Sequence, residues 1–156
     1  MWESQSDYDS HLPLLKAALD LTEGGIIELG SGFHSTPAIR KYAAENGRHF
    51  RTFDNKTDWA ELTQAEYIKD WDSTEAWIIP CGLVFIDEAP GEHRKVSIEK
   101  YRDIADILVI HDTEPTANYV YGLAEILGTF KYRVDYKPEG KPWTTALSNK
   151  IPLTEI

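Results

Sequence analysis

The chain has 156 residues, with 16 Lys and Arg against 26 Asp and Glu and a formal net charge of −10. Its basic residues are scattered, not clustered, so a nucleic-acid backbone is not expected as the main partner. No apolar run approaches the roughly 18 residues of a membrane span, the polar start MWESQSDYDSH is not a secretory signal, and the lone Cys81 supports neither a disulfide nor a metal motif. The expectation is one domain over residues 1–156 in a reducing, cytoplasmic setting.

The first helix signal is DSHLPLLKAALDLTEGG, where Leu12, Leu15 and Leu19 recur at helical spacing before a glycine pair. IIEL (26–29) is a short apolar strand. After Gly30-Ser31-Gly32, the segment TPAIRKYAAENG reads as a helix with Thr36 as N-cap, Pro37 at the first helical position and Gly47 as its stop. HFRTFD (49–54) is a second strand, DWAELTQ (58–64) a short helix, EYIKDWD (66–72) a third strand and STEAWII (73–79) a helical turn or two. GLVFID (82–87) and DILVIHD (106–112) are buried strands on either side of HRKVSIEKYRDI (93–104), an amphipathic helix with Val96, Tyr101 and Ile104 on or near one face. NYVYGLAEILG (118–128) is a helix closed by Gly128. FKYRVDY (130–136) and WTTALSN (143–149) form a hairpin-like pair through KPEGKP. IIEL, LVFID and DILVI barely alternate, which marks parallel strands covered on both faces, whereas the last two strands alternate. The fold class is α/β: an open, doubly wound, mostly parallel sheet with an antiparallel pair at one edge. Such sheets bind ligands beyond the C-terminal ends of their strands.

Those ends are acidic. They carry Glu28 with Gly30 and Gly32, then Asp54, Asp70-Trp71-Asp72, Asp87, and His111-Asp112. One such carboxylate is commonly a helix cap or turn former; five in register with strand ends point to a shared crevice. The glycine turn lacks the lysine of a phosphate-binding loop and has Ser35 where a dinucleotide fingerprint has its third glycine. A pyrophosphate beside Glu28 would also meet a like charge. A ligand with a cationic end and a ribose removes that conflict. S-adenosylmethionine has both, with its carboxylate at the helix N-terminus and Asp54 accepting the two ribose hydroxyls.

Together, IIELGSGFHST, FRTFD, KDWD, LVFIDEAP, ADILVIHDTE and WTTALSN resemble the class I S-adenosylmethionine-dependent methyltransferases over nearly the whole chain. The resemblance implies a seven-stranded sheet of order 3-2-1-4-5-7-6 with strand 7 antiparallel. It implies that Glu28, Gly30 and Gly32 line the methionine part, that Asp54 and Asn55 hold and flank the ribose, and that Asp70, Trp71 and Asp72 hold adenine, with Trp71 stacking on it. Asp87 and Asp112 at adjacent strand ends are similar to the metal pair of catechol-type O-methyltransferases. That similarity implies Mg²⁺ or another divalent metal on Asp87, Asp112 and Thr113, or Glu114, although Thr113 stands where that type has Asn; in the alternative, Asp87 contacts the ligand and Asp112 caps a turn. His111 and His93 are the expected general bases. His11 is expected on the surface, and Trp59 has no assigned place.

The leading functional expectation is methyl transfer to an oxygen or nitrogen of a small-molecule acceptor. Few residues lie outside the βα series to form an acceptor pocket, so the site is expected to be open, suited to a larger partner, or closed by a second subunit in a homodimer. Two other readings compete. One is a catalytically silent S-adenosylmethionine-binding accessory subunit. The other is a metal-dependent hydroxylase-like enzyme using Asp87, His93 and Asp112.

Overall fold

The structure, a computed structural model, describes residues 2–73 and 80–156. The expected helical turn at 73–79, with Trp77, lies outside the described residues except for Ser73. In chain order the elements are α1 (Leu12–Asp20), β1 (Gly25–Leu29), α2 (Ser35–Glu45), β2 (Phe50–Asp54), α3 (Thr57–Thr63), β3 (Glu66–Tyr67), β4 (Cys81–Ile86), α4 (Arg94–Tyr101), β5 (Ala105–His111), α5 (Pro115–Tyr121), α6 (Ala124–Leu127), β6 (Tyr132–Tyr136) and β7 (Thr144–Ser148). The strands form one seven-stranded sheet in the order β3-β2-β1-β4-β5-β7-β6. β7 runs antiparallel to both β5 and β6, and the other pairs are parallel. The expected sheet order and the antiparallel last strand are both present.

Successive side chains of a strand point to opposite faces, and here both faces are covered. Ile26, Leu83, Phe85, Ile107 and Val109 pack with Leu14, Leu15 and Leu19 of α1 and Ile39 of α2. Ile27, Leu29, Val84, Ile86, Leu108 and Ile110 pack with Ile98 and Tyr101 of α4 and Leu123 and Leu127 near α6. This is why β1, β4 and β5 read as continuous apolar runs. Each fully buried Leu, Ile or Phe contributes about 1.5–3 kcal/mol.

Four local expectations change. Thr36 does not cap α2; the helix begins at Ser35, and the Thr36 hydroxyl bonds to Glu28 instead. β3 covers only Glu66 and Tyr67, because the polar residues after it leave the sheet edge for a 3₁₀ turn at Trp71–Ser73. Val96 is 44% exposed, and Ile98 and Tyr101 supply the buried face of α4. The expected helix 118–128 is two helices, because Gly122 adopts a left-handed φ of +68° and ends α5.

Glu28 is the penultimate residue of β1, opposite Thr52 of β2, and is 0% exposed. Its carboxyl accepts hydrogen bonds from the hydroxyls of Ser35 and of Thr36 (2.7 Å) in the first turn of α2, and of Thr52 (2.5 Å). Burial pushes its pKa up to about 7, against the opposing pull of these hydroxyls. A carboxyl raised on folding adds its full stability below its unfolded value, and that contribution is lost as pH rises toward the folded value. Wild-type stability relative to Glu28→Gln should therefore fall by up to roughly 3 kcal/mol between pH 5 and pH 8. Urea unfolding of both proteins at the two pH values measures it; an unchanged difference would exclude a proton on buried Glu28.

Candidate cofactor and acceptor site

The crevice forms where β1, β2, β4 and β5 end. Gly30 turns the chain with φ +90°, and a side chain there would place its Cβ 2.4 Å from the Asp87 carbonyl oxygen. Only glycine lets the turn come this close to the end of β4. Backbone bonds draw the ends together: Gly30 N–H donates to Phe53 O at 2.9 Å and Asp87 N–H to Leu29 O at 2.8 Å.

Asp54, at the end of β2, is 6% exposed. One of its oxygens accepts from the Ser31 N–H (3.0 Å) and hydroxyl (3.1 Å), and the other from the Lys56 N–H (3.0 Å). It thus orders the glycine turn while also lining a cavity of about 340 Å³ with Gly30, Ser31, Asn55, Trp59 and Asp87. A second cavity of about 380 Å³ shares Ser31, Trp59 and Asp87 and continues past Gly32 to Tyr8, His11 and Phe33. Trp59 stands between them: its indole N–H donates to Ser31 O at 2.7 Å, and its ring tilts against Phe33 at 4.6 Å. A larger hollow of about 510 Å³ lies at the other end of the strands, beside Gly24 and Pro80. Arg48 there spends its donors on the carbonyls of Leu19, Thr22 and Gly24, a structural use.

The expected residues separate into two groups. Gly30, Gly32, Asp54, Asn55 and Asp87 converge on the two cavities. Glu28 does not; both of its oxygens face hydroxyls inside the protein, so it supports the turn from behind. Trp71 is 5% exposed and packed in the core, its indole N–H donating to Ala89 O at 2.9 Å, and it offers no open face to a ring. Asp70 accepts from Ser73 N–H at 3.0 Å. Asp72, exposed, lies 3.0 Å from His93 Nε2. His93 is engaged there and, through Nδ1, lies 3.7 Å from Glu88 Oε2; the ligand atoms that cluster with Asp87 and Asp112 are those of His111, so the set proposed for a hydroxylase is not assembled.

His111 takes that position. Its Nδ1 lies 3.3 Å from Asp87 Oδ1 and 3.6 Å from Asp112 Oδ1, and its Nε2 lies 3.2 Å from Ser10 Oγ. The single Ser10 proton also has Pro142 O as an acceptor at 3.1 Å, so both ring nitrogens of His111 are free to donate. Burial pulls the His111 pKa down, but the charge and hydrogen bond of Asp87, with Asp112 behind them, outweigh it and raise it. Asp87 moves the opposite way: burial raises it, and His111 and then Arg94 hold it below its ordinary value. Asp87 and Asp112 thus favour the protonated form of His111. His11, far from being on the surface, is 2% exposed, lies 4.8 Å from the His111 ring, and has no hydrogen-bond partner on either nitrogen. Burial first, then the charge of His111, lowers its pKa to about 3, so it is neutral. Sequence periodicity put His11 at the start of a helix; only the packing of α1 on β4 and β5 turns it into the crevice.

Ligand atoms of Asp87, His111 and Asp112 lie within 4.8 Å of one another, the spacing a metal needs. Arg94, however, already bonds to both carboxylates, at 3.2 Å each. Thr113 is 1% exposed, and its hydroxyl shares a 2.8 Å hydrogen bond with Thr145 of β7. Glu114 accepts from Trp143 N–H at 3.0 Å. The expected metal set Asp87, Asp112 and Thr113 does not fit a divalent ion.

No family model matches the sequence, and no curated protein matches it. Solved structures do. Cofactor-bound Rv0187 from MTB is 15% identical, with a TM-score of 0.64 over 95% of this chain and 83% of that one. The O-methyltransferase TomG from Streptomyces achromogenes, in complex with SAM, is 15% identical, with a TM-score of 0.60 over 93% and 81%. The 16S rRNA N2 G1207 methyltransferase RsmC from T. Thermophilus, in complex with AdoMet and guanosine, is 13% identical, with a TM-score of 0.52 over 90% of this chain and 39% of that one. On this likeness, and with its seven-stranded sheet and antiparallel last strand, this chain has the fold of the class I S-adenosylmethionine-dependent methyltransferases.

Proposed function

We propose that the chain binds S-adenosylmethionine across the paired cavities and transfers its methyl group to an oxygen or nitrogen of a small molecule. The observation that carries this reading is the glycine turn wedged between Asp54 and Asp87 at the middle of the sheet. Bound there, the cofactor supplies an electrophilic methyl on a sulfonium. Asp54 accepts hydrogen bonds from the ribose hydroxyls, Asn55 flanks them, and Gly30 and Gly32 leave room for close approach of the methionine part. Adenine contacts fall to Asn55, Trp59 and Ala89 rather than to Asp70, Trp71 and Asp72. The carboxylate of Asp87 faces the cationic centre.

The acceptor enters by the cavity that Tyr8 and Phe33 border. Neutral His11 in its wall accepts a hydrogen bond from the acceptor and orients it, its pKa of about 3 leaving it a weak proton acceptor. The net charge of −10 favours a small acceptor over RNA. Among the described residues no helix is long and apolar enough to cross a membrane.

Calorimetric titration with S-adenosylhomocysteine tests the first half, and absence of binding at millimolar ligand would sink the reading. Asp54→Ala should weaken that binding by about 1.5–3 kcal/mol, the range for a charge-assisted hydrogen bond. The same ligand should change the intrinsic fluorescence, and Trp59→Phe should remove most of that change; its survival would move the ligand away from Trp59. With label carried on the donor methyl, transfer should appear in small-molecule fractions rather than RNA. His11→Leu should then lower kcat/KM for the acceptor by about 3–10-fold, the range for one lost hydrogen bond, while leaving S-adenosylhomocysteine affinity unchanged. A matching loss of affinity would make His11 a structural residue.

A further inference from the structure

The similarity to catechol-type enzymes implies a divalent cation between the ends of β4 and β5, and the residues present do not fit one. We propose that the Arg94 guanidinium is the protein's own resident cation at that place, so that the site works without a divalent metal.

Arg94 opens α4, seven positions after Asp87, and is 5% exposed. Its guanidinium donates to Asp87 Oδ1 and Asp112 Oδ2, both at 3.2 Å, to His111 O at 2.8 Å and, through Nε, to Glu88 O at 2.9 Å. Two carboxylates and two carbonyls make an all-oxygen set, the kind a hard cation selects. A planar fork of five N–H groups satisfies that set from a single side chain. The ring of Tyr121 closes over it, 5.0 Å from the guanidinium carbon. Gly91 makes room for that ring, since a Cβ there would lie 2.3 Å from it.

Displacing Arg94 would leave two carbonyls unpaired and a buried guanidinium without partners, and both are costly. A dication entering beside it would meet a positive charge within the same ligand shell. The third oxygen expected of the metal set is committed elsewhere, in the Thr113–Thr145 bond. Arg94 is a positioning residue: it aligns Asp87 and Asp112 and supplies the positive charge between them.

The test is Mn²⁺ uptake by the full chain, followed by electron paramagnetic resonance of the free ion. Wild type should show no stoichiometric uptake. Arg94→Ala, checked for folding by circular dichroism, should take up stoichiometric Mn²⁺, with a Tm that rises with Mn²⁺ concentration. Adding Asp112→Asn to that variant should abolish both effects. If Arg94→Ala does not fold, Arg94→Gln, which keeps a donor for the carbonyls but no charge, takes its place. Stoichiometric uptake by wild type that is lost in Asp112→Asn would overturn the proposal, and so would folded Arg94 variants that take up none. These outcomes do not depend on S-adenosylhomocysteine binding, so failure here and failure of the methyltransferase reading are told apart.

Discussion

A carboxyl group without access to water, Glu28, stands where β1, β2 and the first turn of α2 meet. Three hydroxyls converge on it, from Ser35, Thr36 and Thr52. The bonds tie the start of α2 to the two strands whose ends form the crevice, and the glycine turn is the short span between these anchors. Thr36 also accepts from Gly32 N–H at 2.9 Å, which extends the network from Glu28 into the turn itself. The position of Asp54 then follows, since its carboxylate takes its bonds from Ser31 in the middle of that turn. A buried acid raised toward neutrality is an expensive anchor, and its three donors offset part of that cost.

The second half of the crevice is organised by charge. Asp87 and Asp112 end neighbouring strands, and His111 and Arg94 are placed among them so that each carboxylate has a cationic partner. The pairs are partly buried, where an unpartnered charge would be strongly destabilising. Asp112 adopts a left-handed φ of +56°, which turns its carboxylate back toward Arg94 while Thr113 continues to β7. His11 then lies beside His111, and burial first, with the charge that His111 carries when protonated, keeps His11 neutral.

Much of this was legible from residue order. Strand runs without alternation signalled a sheet covered on both faces, and acids at strand ends signalled a crevice, because both patterns follow from local geometry that any α/β sheet imposes. Gly30 and Asp54 were legible for the same reason. Other residues misled because their roles depend on partners distant in sequence. Glu28 looked like a ligand contact, since nothing in the string shows that Ser35, Thr36 and Thr52 aim their hydroxyls at it. Trp71 looked like a stacking residue, since its burial against the core is a tertiary fact. Val96 and Gly122 misled through ordinary helical periodicity, which takes no account of where a helix meets the sheet or where a glycine breaks it.

By itself, then, the sequence determined the class of sheet, the order of its elements and the end at which its crevice opens, because apolar patterning and turn chemistry act within a few residues. Only the tertiary structure decided which side chains share the crevice. It brought His11 from the first helix to within reach of His111, separated by 100 positions, and set Trp59 in the cavity wall. It also seated Arg94 between two carboxylates where a metal was expected. Those pairings come from packing helices onto a twisted sheet, and no periodicity along the chain encodes which distant groups that packing will bring within hydrogen-bond range.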